Sequence, residues 1–502
     1  MDLRPAPDDR QPLPLHDAAA TRQLEGRALA RTAPHALMAR AGLAVARLAL
    51  AVAPHAHKVV VFAGPGNNGG DGILAALHLH RLGRQVHVCH LADPQRLPAD
   101  AADALRQARA AGLPLHGEVA APDGADLVID ALLGLGAARP PAGAIARAIA
   151  AANDSGAPVL AVDLPSGLHA DRGQPLGAPA IRARWTLSLL TLKPGLFTGA
   201  GRDHAGQVWL DGLGVVPDEP ASAWLGASTA APGPGLPLRL HAQHKGSFGD
   251  VFVVGGAQGM AGAAWLAARA ALASGAGRVY LSALDPQPLP AALPELMQRA
   301  QVWLADAGTF ERAVVVCGCG GGTDVAQALP HLMDKAPRLV LDADALNAVA
   351  GDASLQAQLS TRADRGARTV LTPHPLEAAR LLGTSTTEVQ ADRLRAAREL
   401  AARHRSVVLL KGSGTVIAAG RHAPWINSSG NAVLAAPGSG DVLAGWLGGL
   451  WARLPGDDGW FAARASAWLH GRAADRHVRH HGGGLPLRAS DLVEAMAAAA
   501  AG

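Results

Sequence analysis

Short apolar runs of strand length alternate with helical stretches along almost the whole chain, and the alternation stops once, near residue 217, before starting afresh. Such alternation means parallel strands joined by crossover helices, because two parallel neighbours need a long connection between them. Before the break, strands are expected at 58–63, 85–90, 126–129, 159–162 and 185–192, with helices at 73–82, 100–111 and 145–151. A helical stretch over 17–53 precedes them, with Leu24, Leu29, Leu37, Met38, Val45 and Leu48 recurring at helix-face spacing. After the break the strands are 250–254, 278–281, 313–316, 338–341, 369–371 and 406–410, with a helix over 262–274 after the first. Pro217, Pro220, Pro232, Pro234 and Pro237, set among Gly, Ser and Ala, give the break a linker's composition. The expected organisation is one domain over 1–217, a linker over 218–237 and a second domain over 238–502. A chain of 502 residues exceeds what one core usually serves.

Composition narrows the function classes. The net charge is only +4, with no Lys/Arg block and no interleaving of basic and aromatic residues, so a nucleic-acid partner is not expected. Three cysteines, Cys89, Cys317 and Cys319, supply neither a disulfide framework nor a zinc set. Asp2, Asp8 and Asp9 stand where a signal peptide would need an apolar stretch, and no apolar run reaches membrane-spanning length. The expectation is a soluble cytoplasmic protein with no membrane partner.

In the first domain the strand at 58–63 runs into Gly64-Pro65-Gly66-Asn67-Asn68-Gly69-Gly70-Asp71-Gly72. Open α/β sheets bind ligands beyond the carboxyl ends of their strands, where glycines admit close backbone approach and a helix start favours anions. Asp71 as a plain helix cap is the bland alternative. Asp130, Asp163 and Lys193 also fall just past expected strand ends. One acidic residue there is commonly a loop cap; three polar residues beside a Gly-rich turn point to a site. The residues by themselves indicate a phosphorylated small molecule, with a monovalent cation at Asn68, Asp130 and Ser166.

These motifs, with 130–136 (Asp130 and Gly134-Leu135-Gly136), Val162-Asp163-Leu164-Pro165-Ser166-Gly167 and Leu37-Met38-Ala39-Arg40-Ala41-Gly42, resemble the YjeF N-terminal family, the NAD(P)H-hydrate epimerases. The resemblance covers nearly the whole first domain. It implies a Rossmann-like parallel sheet, and hydrate contacts from Asn67, Asn68, Gly69, Gly70, Asp71, Gly134, Leu135, Gly136, Ala137, Ala138, Arg139, Pro140 and Asp163. It also implies potassium at Asn68, Asp130 and Ser166. Asp163 is the expected general acid/base, with Lys193 as a second polar group, because exchanging the two C6 epimers moves a proton near the hydroxyl.

The second domain carries Lys411-Gly412-Ser413-Gly414-Thr415 after a strand, then Pro437-Gly438-Ser439-Gly440-Asp441 at the start of an apolar helix. Backbone N–H groups there can face a transferring phosphoryl group, and Asp441 can take a proton from an attacking hydroxyl. The bland reading makes Asp441 a cap, which needs no glycine on either side of Ser439. The arrangement resembles the ribokinase-like superfamily, and with Leu371-Thr372-Pro373-His374-Pro375 and Asp342-Ala343-Asp344-Ala345-Leu346-Asn347 it is similar to the ADP-dependent NAD(P)H-hydrate dehydratases. That likeness implies hydrate contacts from Ala263, Gly320, Gly322, His374 and Asp441, and nucleotide contacts from Lys411, Gly412, Ser413, Gly414, Thr415 and Gly440. ADP with Mg2+ would phosphorylate the C6 hydroxyl of NADHX or NADPHX, and phosphate would then leave. Three positions depart from the family pattern: the usual Gly-Pro-Gly-Leu-Gly is Gly318-Cys319-Gly320-Gly321-Gly322, Leu376 replaces a Gly, and Ser439 stands where Thr is common. The cysteines there are read as small residues, and His374 as either a rigid contact or a packed loop histidine.

The expected fold is α/β in two domains, Rossmann-like and then ribokinase-like, in a homo-oligomeric repair enzyme. Two other readings compete. A vitamin or sugar kinase would share the Gly-x-Gly-Asp turn but leave the first domain without a purpose. A binding scaffold could share the first fold, but Asp71, Asp130, Asp163 and Asp441 are all retained.

Overall fold

Strand Lys58–Ala63 sends Val59, Val61 and Ala63 into one core and Val60 and Phe62 into another, so it is buried on both faces. Near-continuous apolar sequence in a central parallel strand has this cause: crossover helices cover both sides of the sheet. The computed structural model describes residues 3–7, 11–227, 240–285, 294–420, 422–454, 456 and 459–501. Within it the chain divides into two compact units, Met1–Asp8 with Leu13–Leu225, and Asp9–Pro12 with Gly226–Gly502.

The first unit's sheet runs in the order Arg4–Ala6, Gln207–Asp211, Trp185–Leu189, Val159–Val162, Leu127–Ala131, Lys58–Ala63, Gln85–His90, Leu115–His116. All neighbours are parallel except the first pair. Helices Ala36–Val52 and Asn67–Arg81 pack on one face and Gly143–Asp154 on the other. In the second unit the order is Met297–Gln298, Arg278–Ala283, Asp250–Gly255, Ala313–Cys317, Arg338–Leu341, Arg368–Leu371 and Val407–Leu410, all parallel. Val416–Ala418 and Trp425–Ile426 then continue it antiparallel. Helices Ala261–Ala273 and Ser439–Ala452 press together over this sheet, because Gly445 and Gly449 leave no Cβ between them; one at Gly449 would lie 2.9 Å from the Ala271 carbonyl carbon.

Four expectations change. The helical stretch at 17–53 is two helices, Ala18–Arg31 and Ala36–Val52, bent by 115° at a break holding Pro34 and the left-handed His35. Proline lacks the N–H that a continuous helix needs. The strand from Trp185 ends at Leu189 because Leu190 is left-handed, with φ 63. The helix after the Gly-rich turn starts at Asn67, six residues before the expected 73, since Gly69, Gly70 and Gly72 lie inside it. The chain expected as linker from 218 is ordered in the first unit: Asp218 and Glu219 both hold Arg27, and Ala223–Leu225 pairs antiparallel with Leu13–Leu15. Three residues are too few for a period to be read from sequence. Pro232, Pro234 and Pro237 lie outside the described residues. Among those described, no single helix is long and apolar enough to cross a membrane.

Candidate active sites

In the first unit, the residues following the carboxyl ends of the parallel strands surround a cavity of about 520 Å3. Asn67, Asn68, Asp71, Gly134, Leu135, Gly136, Ala137, Asp163 and Lys193 line it. Gly69 and Gly70 do not. They are buried in the first turn of their helix, where a Cβ on Gly69 would lie 2.9 Å from the Gly64 carbonyl carbon and one on Gly70 would lie 2.6 Å from Met38 Cε. Both glycines are thus required for close packing of helix on strand turn. Ala138, Arg139 and Pro140 are exposed and stand outside the lining set. Asp71 is not a cap: the N-cap is Gly66, and Asp71 is buried one turn inside. Burial first, then the charge of Asp163, raises its pKa well above the ordinary carboxylate range.

Asp163 follows strand Val159–Val162 in the left-handed region, with φ 65, a conformation rare outside glycine and concentrated at functional positions. Its carboxylate pairs with the Lys193 ammonium and accepts from the Leu189 N–H at 3.2 Å. Lys193, fully buried, also donates to the Leu189 carbonyl at 2.8 Å and to Ser188 Oγ at 3.3 Å. A buried ammonium with three acceptors is compensated in the way burial of charge requires.

Asp130 and Ser166 meet directly. Ser166 Oγ donates to Asp130 Oδ1 at 2.6 Å, the Ser166 N–H to Oδ2 at 2.8 Å, and the Leu132 N–H to Oδ1 at 3.2 Å. Both side chains are fully buried, and burial pushes Asp130 up to about 6. Asn68 lies against Gly134, where a Cβ would come within 3.2 Å of its Cγ. The Asn68 Nδ2 atom is buried with no hydrogen-bond partner among the described residues. The donor set fits a monovalent cation in its chemistry: the orphaned amide of Asn68, whose two ends are interchangeable by a flip, the Asp130 carboxylate and the Ser166 hydroxyl offer oxygens carrying one formal charge.

Sequence reasoning missed three charged residues of this cavity: Arg22, Glu25 and Asp100. Arg22 donates to the Leu135 carbonyl at 3.1 Å, and Asp100 lies 2.6 Å from His35 Nδ1. Glu25 is half-buried, and burial first, then Asp163, raises its pKa. Their helices carry no glycine signature, so nothing in the local sequence singles them out.

In the second unit, Asp441 is the third residue of helix Ser439–Ala452, whose N-cap is Gly438 with φ 84 and no side-chain cap. The cap reading of Asp441 therefore fails. Burial first, then the charge of Asp342, pushes Asp441 up to about 6. Its carboxylate, the Asp342 carboxylate and Cys319 Sγ have ligand atoms within 4.8 Å of one another. Burial raises the Cys319 thiol well above its ordinary value, so it is an inert filler at neutral pH. Lys411 Nζ donates to Asp342 Oδ1 at 2.7 Å, as does Thr372 Oγ1 at 2.7 Å. A Cβ on Gly440 would lie 3.3 Å from Lys411 Nζ and 4.0 Å from Asp342 Oδ2, so the helix start, the lysine and the aspartate converge.

The expected hydrate residues Ala263, Gly320 and Gly322 cluster: a Cβ on Gly320 would come within 2.9 Å of Ala263 Cβ, and the Gly322 N–H donates to Asp344 Oδ2 at 2.9 Å. His374 caps helix Pro375–Leu382, accepting through Nδ1 from the Leu376 and Glu377 N–H groups, while its Nε2 lies 3.1 Å from Glu377 Oε1. Both ring nitrogens are thus engaged within the protein, which leaves the half-exposed ring face for contact. The departure at Leu376 is exposed.

Lys411, Gly412, Ser413, Gly414 and Thr415 follow strand Val407–Leu410, with Gly412 at φ 132 and Gly414 at φ 59. Buried Arg393 supports this loop, donating to the carbonyls of Leu410 at 3.2 Å and Lys411 at 3.1 Å. Asp342, Glu377 and Arg393 join the site from outside the expected set. Asp342 was legible as a strand-end aspartate; Arg393 lies in a helix that gives no such signal.

Residues 34–195 match the family of the YjeF-related protein N-terminus, and residues 251–496 match the NAD(P)H-hydrate dehydratase family. The bifunctional NAD(P)H-hydrate repair enzyme Nnr of Escherichia coli (strain K12) is 38% identical over 459 residues, covering 88% of this chain and 84% of that one. The Vibrio cholerae enzyme of the same name is 37% identical over 516 residues, covering 97% and 98%. Among solved structures, the ADP/ATP-dependent NAD(P)H-hydrate dehydratase from Bacillus subtilis, co-crystallized with ATP/Mg2+, is 30% identical at TM-score 0.46, over 54% of this chain and 95% of that one. With both halves matched in order and 84% and 98% of these two relatives covered, the chain belongs to the family of bifunctional NAD(P)H-hydrate repair enzymes.

Proposed function

We propose that the first unit interconverts the R and S forms of NADHX and NADPHX, and that the second dehydrates the S form at the expense of ADP. The observation that carries the reading is the presence of two separate strand-end sites in one chain, one built on Asp163 with Lys193 and one on Asp441 with Asp342 and Lys411.

In the first unit the hydrate occupies the 520 Å3 cavity, with its anionic groups toward the helix start at Asn67 and the loop at Gly134–Ala137. Asp163 acts on the C6 hydroxyl as acid/base, fixed in place by its ion pair with Lys193. Asn68, Asp130 and Ser166 would hold potassium, which supplies positive charge beside the hydrate.

In the second unit, Lys411 and the loop through Thr415 bind ADP, and the N–H groups of Gly440 and Asp441 face the transferring phosphoryl group. Asp441 takes the proton of the C6 hydroxyl as its oxygen attacks phosphorus. The P–O bond to ADP breaks in that transfer and leaves AMP; phosphate, a far better leaving group than hydroxide, then departs from C6 as a proton leaves C5, and the new C5=C6 bond restores NAD(P)H. Asp342, whose Oδ1 is held by Lys411 and Thr372, would hold Mg2+ through its other oxygen, and the ion would supply positive charge to the phosphates. Ala263, Gly320, Gly322 and His374 frame the nicotinamide end of the substrate. A cytoplasmic location and a homo-oligomeric state belong to the same reading.

The test is incubation of the chain with both hydrate epimers and either ADP or ATP, following dihydronicotinamide absorbance. Full conversion of the mixture requires both activities. Conversion of one epimer alone would remove the epimerase half of the reading, and no conversion with either nucleotide would remove the dehydratase half.

A further inference from the structure

The cavity of the first unit contains more proton-carrying groups than one acid/base needs. Epimerisation at C6 breaks the C6–O bond and re-forms it on the other face, so one group must deliver a proton and another must accept one. Asp163 suits the acceptor, because the Lys193 ammonium and the Leu189 N–H both stabilise its charged form. A group already ion-paired in this way is a poor proton donor. The donor must reach the same cavity and hold its proton more firmly.

Three other carboxyls line that cavity: Glu25, Asp71 and Asp100. Asp100 is engaged by His35 at 2.6 Å. Asp71 is buried inside its helix, one turn past Asn67. Glu25 is half-buried on helix Ala18–Arg31, one turn beyond Arg22, with which it shares the cavity wall. No ion pair of Glu25 occurs among those of the described residues.

We propose that Glu25 is the general acid of the epimerase site, working opposite Asp163 as base; this rests on the epimerase reading of the first unit. The Glu25 proton passes to the C6 hydroxyl, which departs as water while the ring-nitrogen lone pair fills the C6–N bond. Water then adds to the other face, its electron pair forming the new C–O bond and its proton passing to Asp163. Exchange with solvent returns Asp163 to the carboxylate and Glu25 to the acid. The groups facing Glu25 set opposed environments: burial and the charges of Asp163 and Asp100 favour its neutral form, while Lys193 and Arg22 oppose them. Asp71 lines the same cavity, and burial first, then the charge of Asp163, raises its pKa as well, which is why Asp71→Asn is compared with the Glu25 variants.

The experiment compares wild type, Glu25→Gln, Glu25→Asp and Asp71→Asn for R-to-S interconversion across pH, alongside equilibrium binding of the R form. Glu25→Gln is expected to lower kcat about 100-fold or more with KM nearly unchanged, and to lose the alkaline limb of the pH profile. Glu25→Asp should keep a limb at a shifted pH. Near-normal kcat in Glu25→Gln, a loss confined to KM, or a limb that disappears only in Asp71→Asn overturns the assignment. If Glu25→Gln no longer binds the hydrate, an unshifted limb in Glu25→Asp overturns it as well. A wild-type chain that does not interconvert the epimers fails the parent reading itself, which separates that failure from a wild type that works and a Glu25→Gln that works equally.

Discussion

Lys411 Nζ lies 2.7 Å from Asp342 Oδ1, and the same ammonium stands 4.0 Å from Glu377 Oε2. One lysine thus holds a buried aspartate from the strand Arg338–Leu341 while sitting at the mouth of the proposed nucleotide loop. Removing one partner of a buried pair strands the other charge, at a cost of about 3–5 kcal/mol. Lys411→Met is therefore expected to lower the unfolding midpoint of the second unit and to weaken ADP binding at least tenfold. Adding Asp342→Asn should recover most of the stability, because the stranded charge goes, but none of the ADP affinity. Denaturant unfolding and calorimetric titration of the two variants separate these effects. Recovery of both together would mean that Lys411 serves only Asp342.

Asp441 gives a prediction with a pH axis. Burial and the neighbouring Asp342 push its carboxyl up to about 6, and only the ionised form can accept the hydroxyl proton. Dehydration with saturating ADP should therefore fall as pH drops through about 6, and flatten above it. Asp441→Asn should abolish that limb and cost about 100- to 10,000-fold in rate, with interconversion intact. A stopped assay of NAD(P)H formation from the pure S form measures both. An unchanged limb in the variant would assign the titration to another group.

How much of this was legible in sequence depends on what each signal encodes. The strands Lys58–Ala63, Val159–Val162 and Arg338–Leu341 coincide with the expected runs, because a strand buried on both faces is apolar almost throughout, and Gln85–His90 coincides through its alternation, with Gln85 and His87 exposed and Val86 and Val88 buried. Asp163, Lys193 and Lys411 stood out in the sequence because they follow strands at the edge where loops of a parallel sheet meet ligand, and Asp441 because it sits in a Gly-rich turn at a helix start. The role of Gly69 and Gly70 did not. Glycine is equally required where a backbone nears a ligand and where two elements press together, and the approach of the Gly64 carbonyl carbon and Met38 Cε shows the packing need, which sequence alone does not reveal. Glu25 was invisible for a different reason: it reaches the cavity from helix Ala18–Arg31, and a lone carboxylate on a helix reads as solvated surface.

That packing role is itself testable. Gly70→Ala would bring a Cβ to 2.6 Å from Met38 Cε, so Met38 must move or the helix must shift. Overpacking of this kind costs about 1–3 kcal/mol. Met38→Ala added to Gly70→Ala should restore part of the loss by opening space, which thermal unfolding of single and double variants reports. A Gly70→Ala variant of wild-type stability but impaired hydrate binding would return Gly70 to the ligand.

Asp163→Asn should stop interconversion while leaving dehydration of the S form unchanged. The variant also leaves the fully buried Lys193 ammonium without its carboxylate, so a loss of stability accompanies the loss of activity. Asp163→Asn combined with Lys193→Met should regain stability without regaining interconversion. Dehydration measured in the same preparations shows whether the second unit is undisturbed. Its loss in a folded Asp163→Asn chain would show that the two activities depend on each other.

Potassium provides the last test. Asp130 is fully buried, and burial alone has driven its carboxyl up to about 6, so keeping it ionised at neutral pH is costly. Ser166 and the Leu132 N–H offset part of that cost, and the unpartnered end of Asn68 offsets none. A monovalent cation among the three would supply the missing charge, and any ion that binds only the folded state stabilises it, by about 2.7 kcal/mol at a hundredfold excess over Kd. Exchanging potassium for tetramethylammonium at constant ionic strength should therefore lower the unfolding midpoint of the first unit and slow interconversion. Asp130→Asn removes both the buried charge and the reason for the ion. In tetramethylammonium that variant should be at least as stable as wild type, and potassium should add nothing to it. If wild type shows no potassium increment, or Asp130→Asn keeps the full one, Asn68, Asp130 and Ser166 are a packed polar cluster and the cation does not bind there.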